Sequence, residues 1–129
     1  MRNVTVKTSE GKFGQSIHVG PHALTGDELP EVGGDDRGPD PFELVLAGLG
    51  ACTSMTIKVY ADRKAWPLAS VEVEVSGEKR DGSFLAKRSI RLVGDLTDEQ
   101  RARLLDIANK CPVHKMLTGK IEIESSLVG

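Results

Sequence analysis

The segment Gly38–Ile57, which reads GPDPFELVLAGLGACTSMTI, contains an apolar helix with a cysteine in its middle. Asp40 can serve as the N-cap of a helix, and Pro41 suits the first helical position, where its missing N–H costs nothing. Glu43 then stands at the third helical position and completes a capping box with aspartate in the Ser/Thr place. We therefore predict a helix that begins at Asp40, runs to about residue 65 and ends before Pro67.

The same helix contains two internal glycines, Gly48 and Gly50, next to alanines. A glycine inside a helix costs about 1 kcal/mol relative to alanine, so glycines usually have a packing reason there. Two of them so close together indicate that another backbone approaches this helix. We expect the helix to be central in the fold and fully covered.

The segments on both sides of the helix have the alternating pattern of strands. Residues 3–8 (NVTVKT) and 15–20 (QSIHVG) flank the turn GKFG and predict a hairpin, followed by a short strand at residues 22–25. After the helix, residues 70–75 (SVEVEV) begin a second antiparallel pair that turns at Asp81-Gly82. The chain thus places strands both before and after its long helix.

The C-terminal third predicts two helices and a last strand. Thr97 and Gln100 form a capping box at the start of an amphipathic helix. A proline then interrupts this pattern, so a short helix begins with Cys111 near its N-cap, and residues 120–128 (KIEIESSLV) form the last strand. The order of elements predicts an α+β fold, and we expect one domain over residues 1–129.

Composition limits the possible partners. The chain has 129 residues, a formal net charge of −2, 39% hydrophobic and 28% charged residues. A net charge this close to zero gives no sign of the basic patch with which proteins bind nucleic acids or anionic membranes. The apolar run Leu44–Met55 is short for a membrane span, and the N-terminus has no signal-peptide pattern. We expect a cytoplasmic protein that binds neither nucleic acid nor membrane, in a compartment that disfavours a permanent disulfide.

Cys52, in the middle of the long helix, has two interpretations. A lone helical cysteine is most often a small buried hydrophobe. As a nucleophile it would need a nearby cation, because burial disfavours the thiolate. Arg37 in the preceding loop is the best candidate cation, although it could equally be a solvated loop arginine. Glu43 could orient Arg37, but it points to the opposite side of the helix from Cys52, so it could also be only the capping residue.

Cys111 and His114 form the motif CPVH. A helix N-terminus favours a thiolate, and a histidine three residues on lies on the same helical face. The pair could be a Cys/His catalytic pair, half of a metal site or a contact at a helix end. The usual zinc-ligand spacings are missing, so we expect no metal. If Cys52 and Cys111 meet, they supply an attacking and a resolving sulfur.

Two motifs together resemble the OsmC/Ohr family, the osmotically inducible and organic hydroperoxide resistance proteins. They are residues 33–68 (GGDDRGPDPFELVLAGLGACTSMTIKVYADRKAWPL) and 111–117 (CPVHKML). The resemblance implies an α+β fold with antiparallel sheets, six strands and two central helices. It also implies an intertwined homodimer with active sites at the subunit interface. The implied activity is a cysteine-based peroxidase that reduces organic hydroperoxides in the oxidative stress response, without a cofactor.

By the same resemblance, Cys52 is the peroxidatic thiol, Cys111 the resolving thiol and Arg37 the activating arginine. A dithiol, lipoyl-type in the Ohr branch, would reduce the enzyme. The position directly after the helix-start proline is Phe42, where the best-studied branches carry glutamate; acid follows at Glu43. This difference and the CPVH motif make the chain look more like the broader OsmC-like group.

Our first hypothesis is therefore an OsmC-like thiol peroxidase. Its substrate-binding residues would be an apolar group and a histidine: Phe42, Leu46, Leu49, Met55 and His114. A second hypothesis is a dimer without turnover that senses redox state or holds a small apolar ligand. A third is a hydrolase that uses Cys111 and His114.

Overall fold

The computed structural model describes residues 1–129, which contain both helices and antiparallel strands. The elements are β1 Thr5–Thr8, β2 Gln15–Val19, β3 His22–Gly26, a short 3-10 helix Pro30–Val32, α1 Pro41–Arg63, β4 Leu68–Arg80, β5 Ser83–Gly94, α2 Asp98–Ala108 and α3 Pro112–Thr118. The α+β class predicted from the sequence is confirmed. The chain divides into two compact units, residues 1–45 and 46–129.

The N-terminal unit contains a three-stranded antiparallel sheet in the order β1-β2-β3. Thr5 pairs with His18 and Ile17 pairs with Leu24, so the predicted hairpin and the short third strand are both present. Ile17 is the buried apolar residue of this sheet. The loop that follows is held by Asp27, whose carboxylate accepts the Glu28 N–H at 2.7 Å.

The start of α1 is capped as predicted. The Glu43 N–H donates to the Asp40 carboxylate, and the Asp40 N–H donates to the Glu43 carboxylate, both at 2.8 Å. The helix ends at Arg63, slightly before the predicted end, because Ala65 has a left-handed φ of 55°. That conformation directs the chain out of the helix and into β4.

The C-terminal unit is built on the long hairpin of β4 and β5. The two strands pair from Leu68 with Gly94 to Arg80 with Ser83, which leaves Asp81-Gly82 as the predicted two-residue turn. Gly82 has a φ of 69°, a conformation that glycine adopts without strain. The buried core of this unit comes from α1, β4 and α2: Ile57, Ala61, Leu68, Leu104 and Ala108.

Both predicted helix starts in this unit are present. At the N-terminus of α2, Thr97 and Gln100 form the complete capping box. At the N-terminus of α3, Cys111 is the N-cap, and its sulfur accepts the His114 N–H at 3.4 Å. The capping function fixes the position of the Cys111 side chain at the junction between α2 and α3.

The predicted last strand is wrong for this chain by itself. Residues 119–129 form neither a helix nor a strand, so the structure has five strands where the resemblance implies six. The alternating Ile121 and Ile123 are 53% and 85% exposed. A strand exists only where a neighbouring strand accepts its hydrogen bonds, and no strand of this chain pairs with this segment.

The expectation that α1 is fully covered is also wrong. A side chain placed at Gly50 would meet the Val75 side chain at 3.3 Å, so β4 does approach the helix there. A side chain at Gly48 would meet nothing within 4 Å. The large apolar side chains of Val45, Met55 and Val59 are exposed. One glycine therefore reflects close packing within the chain, and the other lies on an open face.

By length and composition alone, α1 could cross a bilayer. It has 23 residues, an 18-residue window with a mean hydropathy of 1.4, and only 22% of that window is buried. The apolar run Leu44–Met55 is shorter than α1, because the helix continues past the polar residues Thr53 and Ser54 to Arg63. Core helices of soluble proteins pass the same test, so the feature is weak support for a membrane span.

Candidate active site

The structure brings the two cysteines together within the C-terminal unit. The side chain of Cys52, in the middle of α1, lies close enough to Cys111, at the N-cap of α3, to be one of the groups that lower the pKa of the Cys111 thiol. Both cysteines are free thiols. Two residues that lie far apart in the sequence thus form one thiol pair, the arrangement that a dithiol redox site needs.

The Cys111 thiol is fully buried. Burial by itself raises the pKa of this thiol, because it disfavours the charged form. Hydrogen bonds from the Cys52 side chain, the His114 N–H and the Thr53 hydroxyl act in the opposite direction and outweigh burial, so the pKa of Cys111 lies below its ordinary value.

Cys52 is the accessible member of the pair. It is partly exposed, and its sulfur lies 4.0 Å from the Thr56 hydroxyl on the next turn of α1. It opens into a cavity of about 640 Å³. The cavity is lined by Gly48, Ala51, Cys52, Met55, Thr56, Val59, Tyr60, Arg63, Ile107, Lys110 and Pro112. A small molecule with an apolar body can therefore reach one sulfur but not the other.

The four apolar residues predicted to bind substrate lie in different places. Met55 lines the cavity beside Cys52. Leu49 is only 5% exposed and is not a lining residue, because it belongs to the buried stripe of α1 that repeats every four residues. Leu46 lies against Gly77 of β4, and Phe42 is a half-exposed residue of the N-terminal unit.

Arg37 and Glu43 both have partners inside the N-terminal unit. The Arg37 guanidinium forms an ion pair with the carboxylate of Glu10, and the backbone N–H of Arg37 donates to the Asp27 carboxylate at 3.2 Å. The Glu43 carboxylate accepts the Asp40 N–H in the capping box. The proposed roles of Arg37 and Glu43 toward Cys52 stay predictions.

The sequence analysis missed Arg88, on β5. Its Nη1 donates to the Thr53 hydroxyl at 3.0 Å and to the Ala108 carbonyl at 3.1 Å. Its Nη2 contacts the Asn109 side-chain oxygen at 3.0 Å and Nδ1 of His114 at 2.8 Å. Because a guanidinium can only donate, Nδ1 of His114 is the acceptor in this contact.

A signal for Arg88 does exist in the sequence. Arg88 alternates in phase with Ile90 and Leu92, and all three are partly buried on β5, whereas Ser89 and Arg91 between them are exposed. A cation on the apolar face of a strand needs polar partners inside the protein. The pattern therefore marks Arg88 as an inward-facing arginine, although it does not tell which groups Arg88 meets.

The side chain of His114 is positioned by its hydrogen bond with Arg88. Its ring contacts the Arg88 guanidinium, and its backbone N–H, not its ring, contacts the Cys111 sulfur. It is not a lining residue of the cavity that holds Cys52. No group of three or more His, Cys, Asp or Glu side chains is arranged to hold a metal ion.

Comparison with known families gives the context for this thiol pair. The OsmC-like protein family model matches residues 33–126, a segment that includes both cysteines. The chain belongs to the OsmC-like family. No curated protein sequence matches it.

Solved structures agree with the fold of this OsmC-like protein. An OsmC-like protein from Mycoplasma pneumoniae superposes with a TM-score of 0.78 at 20% identity, covering 92% of this chain and 88% of that one. An organic hydroperoxide resistance protein OsmC from Legionella pneumophila gives a TM-score of 0.68 at 20% identity over 92% and 90% of the two chains.

The organic hydroperoxide resistance protein OhrB of Bacillus subtilis gives a TM-score of 0.64 at 23% identity, over 92% of this chain and 91% of that one. At these identities the similarity establishes the shared fold. The neighbours named for organic hydroperoxide resistance are OsmC/Ohr proteins, and the α+β architecture expected from the resemblance is theirs.

Proposed function

We propose that this protein is a thiol-dependent peroxidase that reduces organic hydroperoxides. One observation carries the proposal: two neighbouring thiols, of which Cys52 opens into an apolar cavity while Cys111 is fully buried. Family membership and neighbours named for hydroperoxide resistance support the same function. The cavity is lined mainly by apolar atoms, which favours a peroxide with an organic group over hydrogen peroxide.

The proposed cycle begins when the Cys111 thiolate takes the proton of the Cys52 thiol, which leaves Cys52 as the accessible thiolate. The Cys52 sulfur attacks one peroxide oxygen, the O–O bond breaks, and the alkoxide leaves and takes a proton from solvent. Cys52 is then a sulfenic acid. Cys111 forms a disulfide with it, and the sulfenic oxygen leaves with the Cys111 proton as water. An external dithiol supplies two electrons and two protons, regenerates both thiols and becomes a disulfide itself.

Stopped-flow oxidation of the reduced protein tests this proposal. Because the thiol pair stabilises a thiolate and the cavity admits an organic group, we expect cumene hydroperoxide to oxidise the protein much faster than an ordinary free thiol. Hydrogen peroxide should react more slowly. Peptide mass mapping of the product should find Cys52 joined to Cys111 within one chain. Ordinary thiol rates with both peroxides, or a disulfide only between chains, would refute the proposal.

We also propose that the protein is a homodimer in which the second copy covers α1. The exposed apolar side chains of Val45, Met55 and Val59 give this helix an open face. The C-terminal segment has strand-like alternation at Ile121 and Ile123 but no partner strand in its own chain. Another copy of the chain could cover the open face of α1 and accept hydrogen bonds from the C-terminal segment, in the intertwined manner that the family resemblance implies.

Sedimentation velocity measures this directly. We expect sedimentation of the 129-residue chain to give twice the monomer mass, because an apolar helix face exposed to water favours association. A chain ending at Gly119 should dissociate more readily, since it lacks the segment that would pair with the partner. A full-length monomer at micromolar concentration, or a monomer that associates only with lipid vesicles, would contradict the dimer. Cytoplasmic location belongs to the same proposal, because both thiols must be kept reduced.

A further inference from the structure

We propose that Arg88 is the positioning residue of the thiol pair: it joins the helices that carry the two cysteines and provides the positive charge that faces them. This inference rests on the proposed thiol chemistry, but its test does not require peroxide. It assigns to a strand residue of the C-terminal unit the role that the sequence had suggested for Arg37.

The first argument is connectivity. From β5, the guanidinium of Arg88 reaches α1 at Thr53, the last turn of α2 at Ala108, and α3 at His114. Thr53 is the neighbour of Cys52, and the His114 N–H donates to the Cys111 sulfur. The contacts with Thr53 and His114 therefore fix groups beside the two cysteines, and the Ala108 carbonyl also accepts the backbone N–H of Cys111 at 3.4 Å.

The second argument is charge. The hydrogen-bond partners of Arg88 are a hydroxyl, a backbone carbonyl, an amide oxygen and an imidazole nitrogen, and no carboxylate forms an ion pair with it. Arg37 and Arg91, by contrast, are each within ion-pair distance of a glutamate. A partly buried cation without a counterion is costly. A thiolate on the cysteine pair would supply the missing negative charge, which gives Arg88 a reason to favour that thiolate.

The third argument is the Thr53 hydroxyl. Its oxygen accepts from Arg88 at 3.0 Å, and it has one proton to give. That proton goes to the Leu49 carbonyl, 2.7 Å away, and the same hydroxyl is one of the groups that lower the pKa of Cys111. When negative charge forms on the sulfur, the hydroxyl can turn toward it while Arg88 still holds the oxygen. Arg88 thus acts on the thiol pair through an intervening group.

Few other ionisable groups accompany this arrangement. The charged or titratable groups around the pair are Cys52 on α1, Arg88 on β5, His114 on α3, and Tyr60, Arg63 and Lys110, which line the Cys52 cavity. Nδ1 of His114 accepts a hydrogen bond from Arg88 at 2.8 Å. Of the three permanent cations, Arg63 and Lys110 are exposed to solvent at the cavity, while Arg88 is partly buried.

The test is a thiolate titration of the reduced full-length protein, followed by absorbance near 240 nm as the pH is raised. Arg88→Met should move the midpoint upward by about one pH unit or more, since an opposite charge near a titrating group typically shifts its pKa by that amount. Arg88→Lys should recover part of the shift, because it keeps the charge but loses the fork of donors. Arg91→Met is the matched control on the exposed face of the same strand and should leave the midpoint unchanged.

An unchanged midpoint in folded Arg88→Met would overturn the inference, even if the protein reduces peroxides. If Arg88→Met does not fold, Thr53→Val decides: it preserves shape and removes the intervening hydroxyl, so it should also raise the midpoint, and no change would overturn the inference. A raised midpoint in a protein without peroxidase activity would support Arg88 and reject the proposed function. The two ideas therefore fail separately.

Discussion

Replacement of Cys52 by serine is expected to abolish peroxidase turnover, lowering it by about a thousandfold or more. A serine hydroxyl is not ionised near neutral pH and cannot form the sulfenic acid that the cycle requires. Turnover is measured as consumption of cumene hydroperoxide with an excess of a dithiol. The fold should survive, because Cys52 is only partly buried and its neighbours on α1 are unaffected.

Replacement of Cys111 by serine should separate the two halves of the cycle. Serine is a preferred N-cap and can accept the His114 N–H as the sulfur does now, so α3 should still form. Cys52 should then react once with peroxide, releasing one alcohol per chain, and remain as sulfenic acid or a mixed disulfide. Full dithiol-supported turnover in Cys52→Ser would remove that thiol from the mechanism, and full turnover in Cys111→Ser would remove the intrachain disulfide.

The largest effect on stability is expected at Leu104. Its side chain is fully buried in the core of the C-terminal unit, where it packs with Ile57, Ala61 and Leu68. Leu104→Ala removes buried methyl groups and leaves a cavity, which lowers the free energy of unfolding by about 2–5 kcal/mol. Urea denaturation followed by circular dichroism measures the loss.

The chain provides its own control at the next position. Leu105 lies about 100° further around α2 and is 60% exposed, so Leu105→Ala has the same chemistry without the cavity. We expect that variant to change the free energy of unfolding by less than about 0.5 kcal/mol. Similar losses at the two positions would show that the buried face of α2 has been assigned incorrectly, or that Leu105 is covered in the dimer.

Local sequence rules predicted the parts of the fold that depend on neighbouring residues. The Asp40–Glu43 and Thr97–Gln100 caps, the Asp81-Gly82 turn and the N-cap position of Cys111 all follow from side chains within a few positions of the groups they bond. These interactions are made inside one element, so the sequence contains all of the information they need.

The features that were missed depend on distant partners. Residues 120–128 have the alternation of a strand, yet alternation cannot supply the neighbour to which a strand must bond. Gly48 and Gly50 look equivalent in sequence, but only Gly50 is approached by β4. Arg88 could be identified as inward-facing, whereas its contacts arise only when α1, α2 and α3 converge on β5. In each case tertiary packing decides the outcome.

The complete burial of Cys111 has a consequence for the durability of the protein. Sulfinic and sulfonic acids form when excess oxidant reaches a cysteine repeatedly, and they are not reversed by ordinary thiols. Such damage should fall on Cys52, which solvent can reach. The buried Cys111 sulfur would form a disulfide with the Cys52 sulfenic acid before a second oxidant molecule reacts with it. One protein molecule would then remain active through many reactions with its own oxidising substrate.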